Sequence, residues 1–371
     1  MGAFPYPSDQ GSQVLLEGTA KALADAGHDV RIVCYDHGSG VPDPGIPVHR
    51  APSVPGYRRM RSGPDPVKPV LDLLLARTLQ GVIRQHHADV VHAHNHEALG
   101  ASILALGWTP EGDGRRGSNR GGDVRGADGL PKGRPALIYG EHTRFSEELP
   151  TYFRRGKRPF RLAGSLVDHT LPRMADAAVA LSHRGAQGLR GIVRGPVAVI
   201  PPGVHRADFE GVVPCRAGPG RWLVYAGTPD KFQDVDRLPA VMRHLPGWRL
   251  LLVGSGWGEV PNARVVDAPW SEARGWIAGA SVAALPRRVC AGFPMKLLNY
   301  AALGLRTVVA AGSARGVPGE ECVLGDDPRE FAAAVLRAAD LPRVPASEVL
   351  DHWGWPRRAK ALAELYREAR R

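Results

Sequence analysis

The chain has 371 residues, 43% of them hydrophobic and 6% aromatic, which excludes wholesale disorder and predicts two domains, because one core rarely serves so long a chain. Its 48 Lys and Arg against 37 Asp and Glu give a net charge of +11, which favours phosphates, nucleotides, anionic lipid or nucleic acid without choosing among them. No run approaches the roughly 18 to 20 apolar residues of a membrane span, no charged-then-apolar leader opens the chain, and Cys34, Cys215, Cys290 and Cys322 form no CxxC pair. Neither a spanning nor an exported protein is predicted, and the thiols read as reduced and buried in a cytoplasmic protein.

In chain order, residues 1–4 are too short for a full first strand, and several residues of it are expected to be missing. A loop over 5–13 follows, in which Gly11 permits close backbone approach and the helix predicted over 14–26 offers its N-terminus to a phosphate or a sugar hydroxyl. One glycine without GxGxxG spacing also suits a plain turn. After Gly27-His28-Asp29 come a strand over 30–35, a helix over 70–87 and a strand over 89–94. His92, His94 and His96 alternate along one side with no second ligand cluster, so no metal site is predicted. Residues 109–134 hold Gly, Arg, Asp, Asn and Pro with almost nothing apolar and read as a flexible insertion.

The strand over 136–140 delivers Glu141, His142 and Thr143 into a loop. His142 can hydrogen-bond a substrate hydroxyl or a developing charge, although a lone strand-end histidine is also a common structural residue. Glu147 and Glu148 follow as candidate acceptor-binding groups. Two clusters mix cations with aromatics: residues 152–161, with five cations, and residues 57–61. Each reads either as a peripheral contact with an anionic membrane or as a solvated basic surface. Beyond a boundary between Pro201 and Cys215, strands are predicted over 222–226, 249–253, 282–285 and 307–310, with helices over 235–245 and 295–303. Such alternation predicts parallel sheets covered on both faces. The strongest local signal is the loop carrying Arg287, Arg288 and Gly292 into the helix that starts near Lys296, since cations and a helix N-terminus together suit a diphosphate.

The run Gly292-Phe293-Pro294-Met295-Lys296-Leu297-Leu298-Asn299-Tyr300-Ala301-Ala302-Leu303-Gly304, with Thr307-Val308-Val309-Ala310 behind it, resembles the donor-site helix of glycosyltransferase family 4. Gly27-His28-Asp29-Val30, Asp89-Val90-Val91-His92-Ala93-His94, Ile200-Pro201-Pro202-Gly203-Val204 and the closing helix of residues 355–366 agree with the family in order and spacing. The resemblance covers nearly the whole chain outside 109–134. It implies a GT-B fold of two Rossmann-like domains facing each other across a cleft: an acceptor-side domain over 1–205, a nucleotide-sugar-binding domain over 206–352, and a C-terminal helix over 353–371 returning to the first.

The resemblance further implies retaining transfer of a hexosyl group from a UDP- or GDP-sugar to a glycolipid, a cell-envelope polysaccharide or a small-molecule acceptor, with no metal, no cofactor and no nucleic acid. The expected place of work is the cytoplasm, with peripheral contact on the inner face of the cell membrane. His142, Gly11 and Lys296 are the implied catalytic residues. Ser12, Lys231, Arg287, Arg288, Gly292, Phe293, Pro294 and Asn299 would bind the donor, and Asp9 would join Glu147 and Glu148 at the acceptor. Two departures stand out. The family's acidic pair is replaced by Ala291 and Asn299, and the segment 227–234 offers Lys231, with Gln233 near an expected lysine. Phosphate neutralisation then falls to Lys296, Arg287 or Arg288. The alternatives are a catalytically weakened nucleotide-sugar-binding protein of the same fold and a nucleotide-sugar epimerase.

Overall fold

The computed structural model describes residues 1–8, 10–39, 42, 45–60, 63–107, 134–153, 157–230, 233–290 and 292–371. Asp9, Lys231, Ala291 and all of the expected insertion except Arg134 lie outside the described residues. The chain divides into two compact units, one of Met1–Pro201 with Ala359–Arg371 and one of Pro202–Arg358.

The first unit opens with α1 (Gly11–Asp25), whose Leu15, Leu16, Ala20 and Leu23 recur at helical spacing and are buried. Then come β1 (Ile32–Cys34), β2 (Val48–Arg50), α2 (Lys68–His86), β3 (Val90–His94), α3 (Asn95–Ala105), β4 (Ala136–Glu141), α4 (Phe145–Glu148), α5 (Lys157–Thr170), β5 (Ala177–Ala180), α6 (His183–Leu189) and β6 (Val197–Val199). β3, β4, β5 and β6 pair in that order, all parallel, and β1 pairs with β2, also parallel, in a separate two-stranded sheet. The short segment at Met1–Gly2 joins the two sheets. Gly2 N–H donates to Val33 at 3.0 Å and His94 N–H donates to Met1 at 2.9 Å, so this segment lies between β1 and β3 as a strand. Every residue of β4 is buried, as expected of a strand covered on both faces.

The second unit runs β7 (Arg221–Ala226), α7 (Leu238–Met242), β8 (Trp248–Val253), β9 (Ala263–Val266), α8 (Trp270–Ala278), β10 (Val282–Leu285), α9 (Met295–Ala302), β11 (Thr307–Ala310), β12 (Glu320–Val323), α10 (Pro328–Asp340) and α11 (Ala346–Trp353). Its parallel sheet has the order β12-β11-β10-β7-β8-β9. The chain builds outward from β7 through β9, then returns to start the other half at β10. Between β7 and β10 the direction of winding reverses, and the loops leaving their carboxyl ends part to open a crevice. The first unit has the same reversal where Met1–Gly2 neighbours both β1 and β3.

Three expectations are corrected. The helix predicted over 235–245 is a 3-10 turn at Val235–Arg237 followed by a short α7, because Pro239 has no N–H to donate and is tolerated only in a first turn. Cys215 and Cys322 are exposed, so only Cys34 and Cys290 fit the expectation of buried thiols. The boundary falls at Pro201/Pro202, and residues 353–358 stay with the second unit. There Val204 N–H donates to Trp353 at 3.0 Å and Trp355 N–H to Val204 at 3.2 Å, which stitches that stretch to residue 204. The last helix, α12 (Trp355–Ala369), contributes its residues from Ala359 on to the first unit.

Candidate functional site

In the first unit, β3 and β4 run in register with His94 opposite Gly140, so Asn95 and His96 emerge beside Glu141 and His142 at the carboxyl edge of the sheet. His92 stacks on His94 with ring centroids 4.3 Å apart, and His94 Nδ1 meets His142 Nε2 at 3.0 Å. From the closing helix, the Tyr366 hydroxyl reaches His92 Nδ1 at 2.7 Å. Gly140 is required here, because a Cβ would come within 2.7 Å of His92 Nε2. Burial drives the pKa of both His92 and His142 down to about 3, so both rings are neutral near pH 7.

A neutral imidazole has one donor and one acceptor nitrogen. Whichever way the His94–His142 bond is polarised, His142 Nδ1 is left buried with its capacity unmet. His96 Nδ1 and Asn95 Oδ1 are buried and unpartnered as well. Each such atom costs about 1–3 kcal/mol when nothing satisfies it, so their grouping at one strand edge makes this a candidate polar ligand site. Asn95 holds the left-handed φ of 76° that asparagine tolerates, and its Nδ2 donates to Ser12 Oγ at 3.4 Å. Residues of α1 and α3 thus meet at the first unit's reversal point. Burial raises the Glu141 carboxyl to about 7, opposed by Arg144 at 3.8 Å.

In the second unit the crevice at the end of β7 is built around Lys296. Its Nζ donates to Tyr225 Oη at 2.5 Å and Gln233 Oε1 at 3.4 Å, and lies 4.3 Å from the Tyr225 ring centroid. Gly227 has φ 133°, and a Cβ there would collide with Nζ. Burial, with Arg287 adding repulsion, lowers the Lys296 pKa to about 7. The adjoining Tyr225 and Tyr300 phenols are pushed up by burial and stay neutral. Tyr300 Oη accepts the Ala226 N–H at 2.8 Å, which ties the end of β7 to α9.

α9 opens at Met295 without a side-chain cap among the described residues, and Leu297 N–H donates to the Pro294 carbonyl at 3.0 Å in its first turn; a helix N-terminus of this kind favours an anion. It ends at Gly304, φ 77°, where Leu305 N–H returns to the Tyr300 carbonyl at 2.9 Å in a Schellman-type stop. The loop before α9 is shaped by Arg315, whose Nη2 donates to the carbonyls of Cys290 and Gly292 at 2.7 and 2.6 Å. Arg315 is held in turn by Glu320, whose carboxylate accepts the N–H groups of Arg315, Gly316 and Val317 at 2.8–3.1 Å.

Of the residues singled out in the sequence, Gly292, Phe293, Pro294 and Lys296 lie together at the start of α9, and Asn299 sits midway along it. Arg288 is engaged by Asp234 at 3.1 Å and by Asp326 at 3.7 Å, and Arg287 Nε donates to the Val289 carbonyl. Gly11 is the exposed first residue of α1 with open space where a Cβ would sit. Glu147 pairs with Arg184 at 2.7 Å, and Glu148 accepts from Tyr152 at 2.7 Å and from Thr143. Tyr225, Gln233, Asn95, Arg315 and Tyr366 were not foreseen. Only the expected-lysine position of Gln233 hinted at any of them. Among the described residues no group of three His, Cys, Asp or Glu side chains is set to hold a metal ion.

Residues 10–208 match the family model described as Glycosyltransferase Family 4, and residues 223–340 match that of Glycosyl transferases group 1. No curated protein matches the chain by sequence. Solved structures do. The sucrose-phosphate synthase of Thermosynechococcus elongatus aligns with a TM-score of 0.74 at 15% identity over 96% of this chain and 93% of its own. Anabaena Alr3699/HepE, in complex with UDP and glucose, aligns at 0.64 and 12% over 98% and 97%. WaaG, a glycosyltransferase involved in lipopolysaccharide biosynthesis, aligns at 0.59 and 14% over 99% and 96%. At these identities the likeness is one of fold, the GT-B fold with its two Rossmann-like domains. With the first family model alone spanning more than half of the sequence, the chain belongs to Glycosyltransferase Family 4.

Proposed function

We propose that this glycosyltransferase moves a hexosyl group, with retention at the anomeric carbon, from a UDP- or GDP-sugar to a hydroxyl of a glycolipid, a cell-envelope polysaccharide or a small molecule. The observation that carries the reading is Lys296, buried over Gly227 at the second unit's reversal point and one residue inside the start of α9. A cation, a helix N-terminus and a glycine without side chain are what a diphosphate requires. That Alr3699/HepE is seen with UDP and with UDP-glucose supports a nucleotide sugar as donor. In the transfer, the bond from the anomeric carbon to the diphosphate breaks, a bond to the acceptor oxygen forms, and the acceptor proton passes to the departing diphosphate. Lys296 and the α9 N-terminus stabilise the charge that grows on the leaving group. His142, neutral and with Nδ1 unmet, hydrogen-bonds the sugar.

Incubation with a panel of nucleotide sugars, measuring nucleotide release with and without candidate acceptors, tests the reading. Absence of both binding and release for every donor overturns it. Asn299, where the family carries a carboxylate, supports a second reading as a nucleotide-sugar-binding protein with little turnover. Tight donor binding without transfer would select that one.

A further inference from the structure

The loop that leads into α9 is gripped by the loop that follows β11. Ser313, fully buried, donates its hydroxyl to the Arg287 carbonyl at 2.6 Å, and Gly312 lies so close to the Arg288 carbonyl that a Cβ would collide with it. Two residues beyond Ser313, the Arg315 guanidinium takes the next carbonyls. Its Nε and Nη2 donate to Gly292 at 3.1 and 2.6 Å, and Nη2 donates also to Cys290 at 2.7 Å. Nη1 closes back on its own loop, donating to Gly312 at 3.1 Å and to Ala314 at 2.6 Å. These bonds engage all the N–H groups a guanidinium has, and every acceptor is a main-chain carbonyl. Glu320 holds the main-chain N–H groups at 315–317, and among the described residues no carboxylate pairs with the Arg315 side chain itself.

The loops are already joined by Ser313, so attachment alone does not call for a guanidinium. What Arg315 adds is orientation. An anion is repelled by carbonyl oxygens and attracted by N–H groups, and in a trans peptide the two point in opposite directions. Pinning the Gly292 carbonyl on the guanidinium therefore turns the Phe293 N–H the other way, and among the described residues no acceptor takes that N–H. Phe293 stands two residues before α9 and three before Lys296, beside the place already argued for the diphosphate.

We propose that Arg315 is a positioning residue of the donor site, which pins the carbonyls of Cys290 and Gly292 away from the donor and so presents the Phe293 N–H to its diphosphate. The proposal rests on the nucleotide-sugar reading and adds to it a residue that touches no reacting atom. Calorimetry of the full chain with UDP and with GDP tests it, with uridine and guanosine as ligands that lack phosphate. Selective amide labelling of the eight phenylalanines, read by NMR, supplies a direct signature. Arg315→Met should weaken the diphosphate that the parent binds about 10- to 100-fold, and Arg315→Lys, which keeps the charge and part of the hydrogen bonding, about three- to tenfold. The Lys variant carries the test should the Met variant not fold. Affinity for the nucleoside alone should stay within about twofold in both, which a general loosening of the fold would not allow. In the parent the Phe293 amide signal, identified by its loss in Phe293→Leu, should shift on adding the diphosphate, and the shift should shrink in Arg315→Lys. An unmoved Phe293 signal in a parent that binds UDP or GDP, unchanged diphosphate affinity in both variants, or an equal loss for nucleoside and diphosphate would overturn the role of Arg315 and leave the donor reading standing. A parent that binds no nucleotide sugar and no nucleoside diphosphate would overturn both.

Discussion

The two candidate regions use the same physical lever to opposite ends. Around His142 and around Lys296 alike, burial strips water from a basic nitrogen and lowers its pKa. Histidine starts near neutrality, so the shift to about 3 locks it as an uncharged hydrogen-bonding ring at every physiological pH. Lysine starts near 10.5, so a comparable fall leaves it at about 7, where a small change of surroundings decides whether it is charged. The first unit thus offers fixed polar geometry suited to sugar hydroxyls. The second offers a charge that an arriving anion can call up.

The largest effect should come from His142→Ala, which is expected to lower kcat about 10²-fold or more while leaving donor affinity within about twofold. An equal fall in affinity and turnover would dissolve the distinction between the regions. Next, Lys296→Met should weaken nucleotide-sugar binding about 10- to 100-fold by calorimetry at pH 7. Because a bound diphosphate raises the lysine pKa, binding takes up a proton above pH 7, and the parent's Kd should climb by up to about tenfold per pH unit. The Lys296→Met profile should be flat over pH 7–9. A parent profile equally flat would show that the lysine is not the anion's partner.

Glu141 tests the cost of burial beside the histidines. Its carboxyl, raised by burial to about 7, keeps in the folded state a proton that the unfolded chain releases near 4.5. Stability must therefore fall as pH rises through that window. Glu141→Gln should remove a penalty on the order of 1–3 kcal/mol, seen as a melting temperature above the parent's at pH 8 and close to it at pH 4.5. A gap of the same size at both pH values would contradict this. The smallest effect is expected from Tyr366→Phe, which frees His92 Nδ1 and should lower kcat about two- to fivefold with donor Kd unchanged. An altered Kd would assign Tyr366 to folding rather than to holding the histidine stack.

Much of this was legible from residues alone. α9 could be placed because its apolar spacing and Gly304 satisfy purely local demands, the 3.6-residue period and a left-handed terminator. His142 could be singled out because a polar cluster follows an apolar strand. The arginines could not be ranked. Arg288 is neutralised by Asp234, 54 positions away, and Arg315 braces the loop through carbonyls 23 and 25 positions away, so the loop's basic composition overstated its free charge. The cation-rich stretch over 152–161 was visible as charge, but that its helix anchors by Asp168 and shows its leucines to solvent was not, since periodicity identifies a stripe without saying which way it faces.

The sequence by itself determined the alternation of strands and helices, the family and the start of α9, because dihedral preference, apolar period and capping act over a few neighbouring residues. Only the tertiary structure decided which nitrogen sits over Gly227, which histidine leaves an unmet Nδ1, and which cations are already paired. Lys296 and Tyr225 are 71 positions apart, and His92 and Tyr366 are 274 apart. Their meeting depends on strand order and on where the last helix packs. Burial then sets the pKa values, and burial belongs to the packed whole rather than to any local stretch of chain.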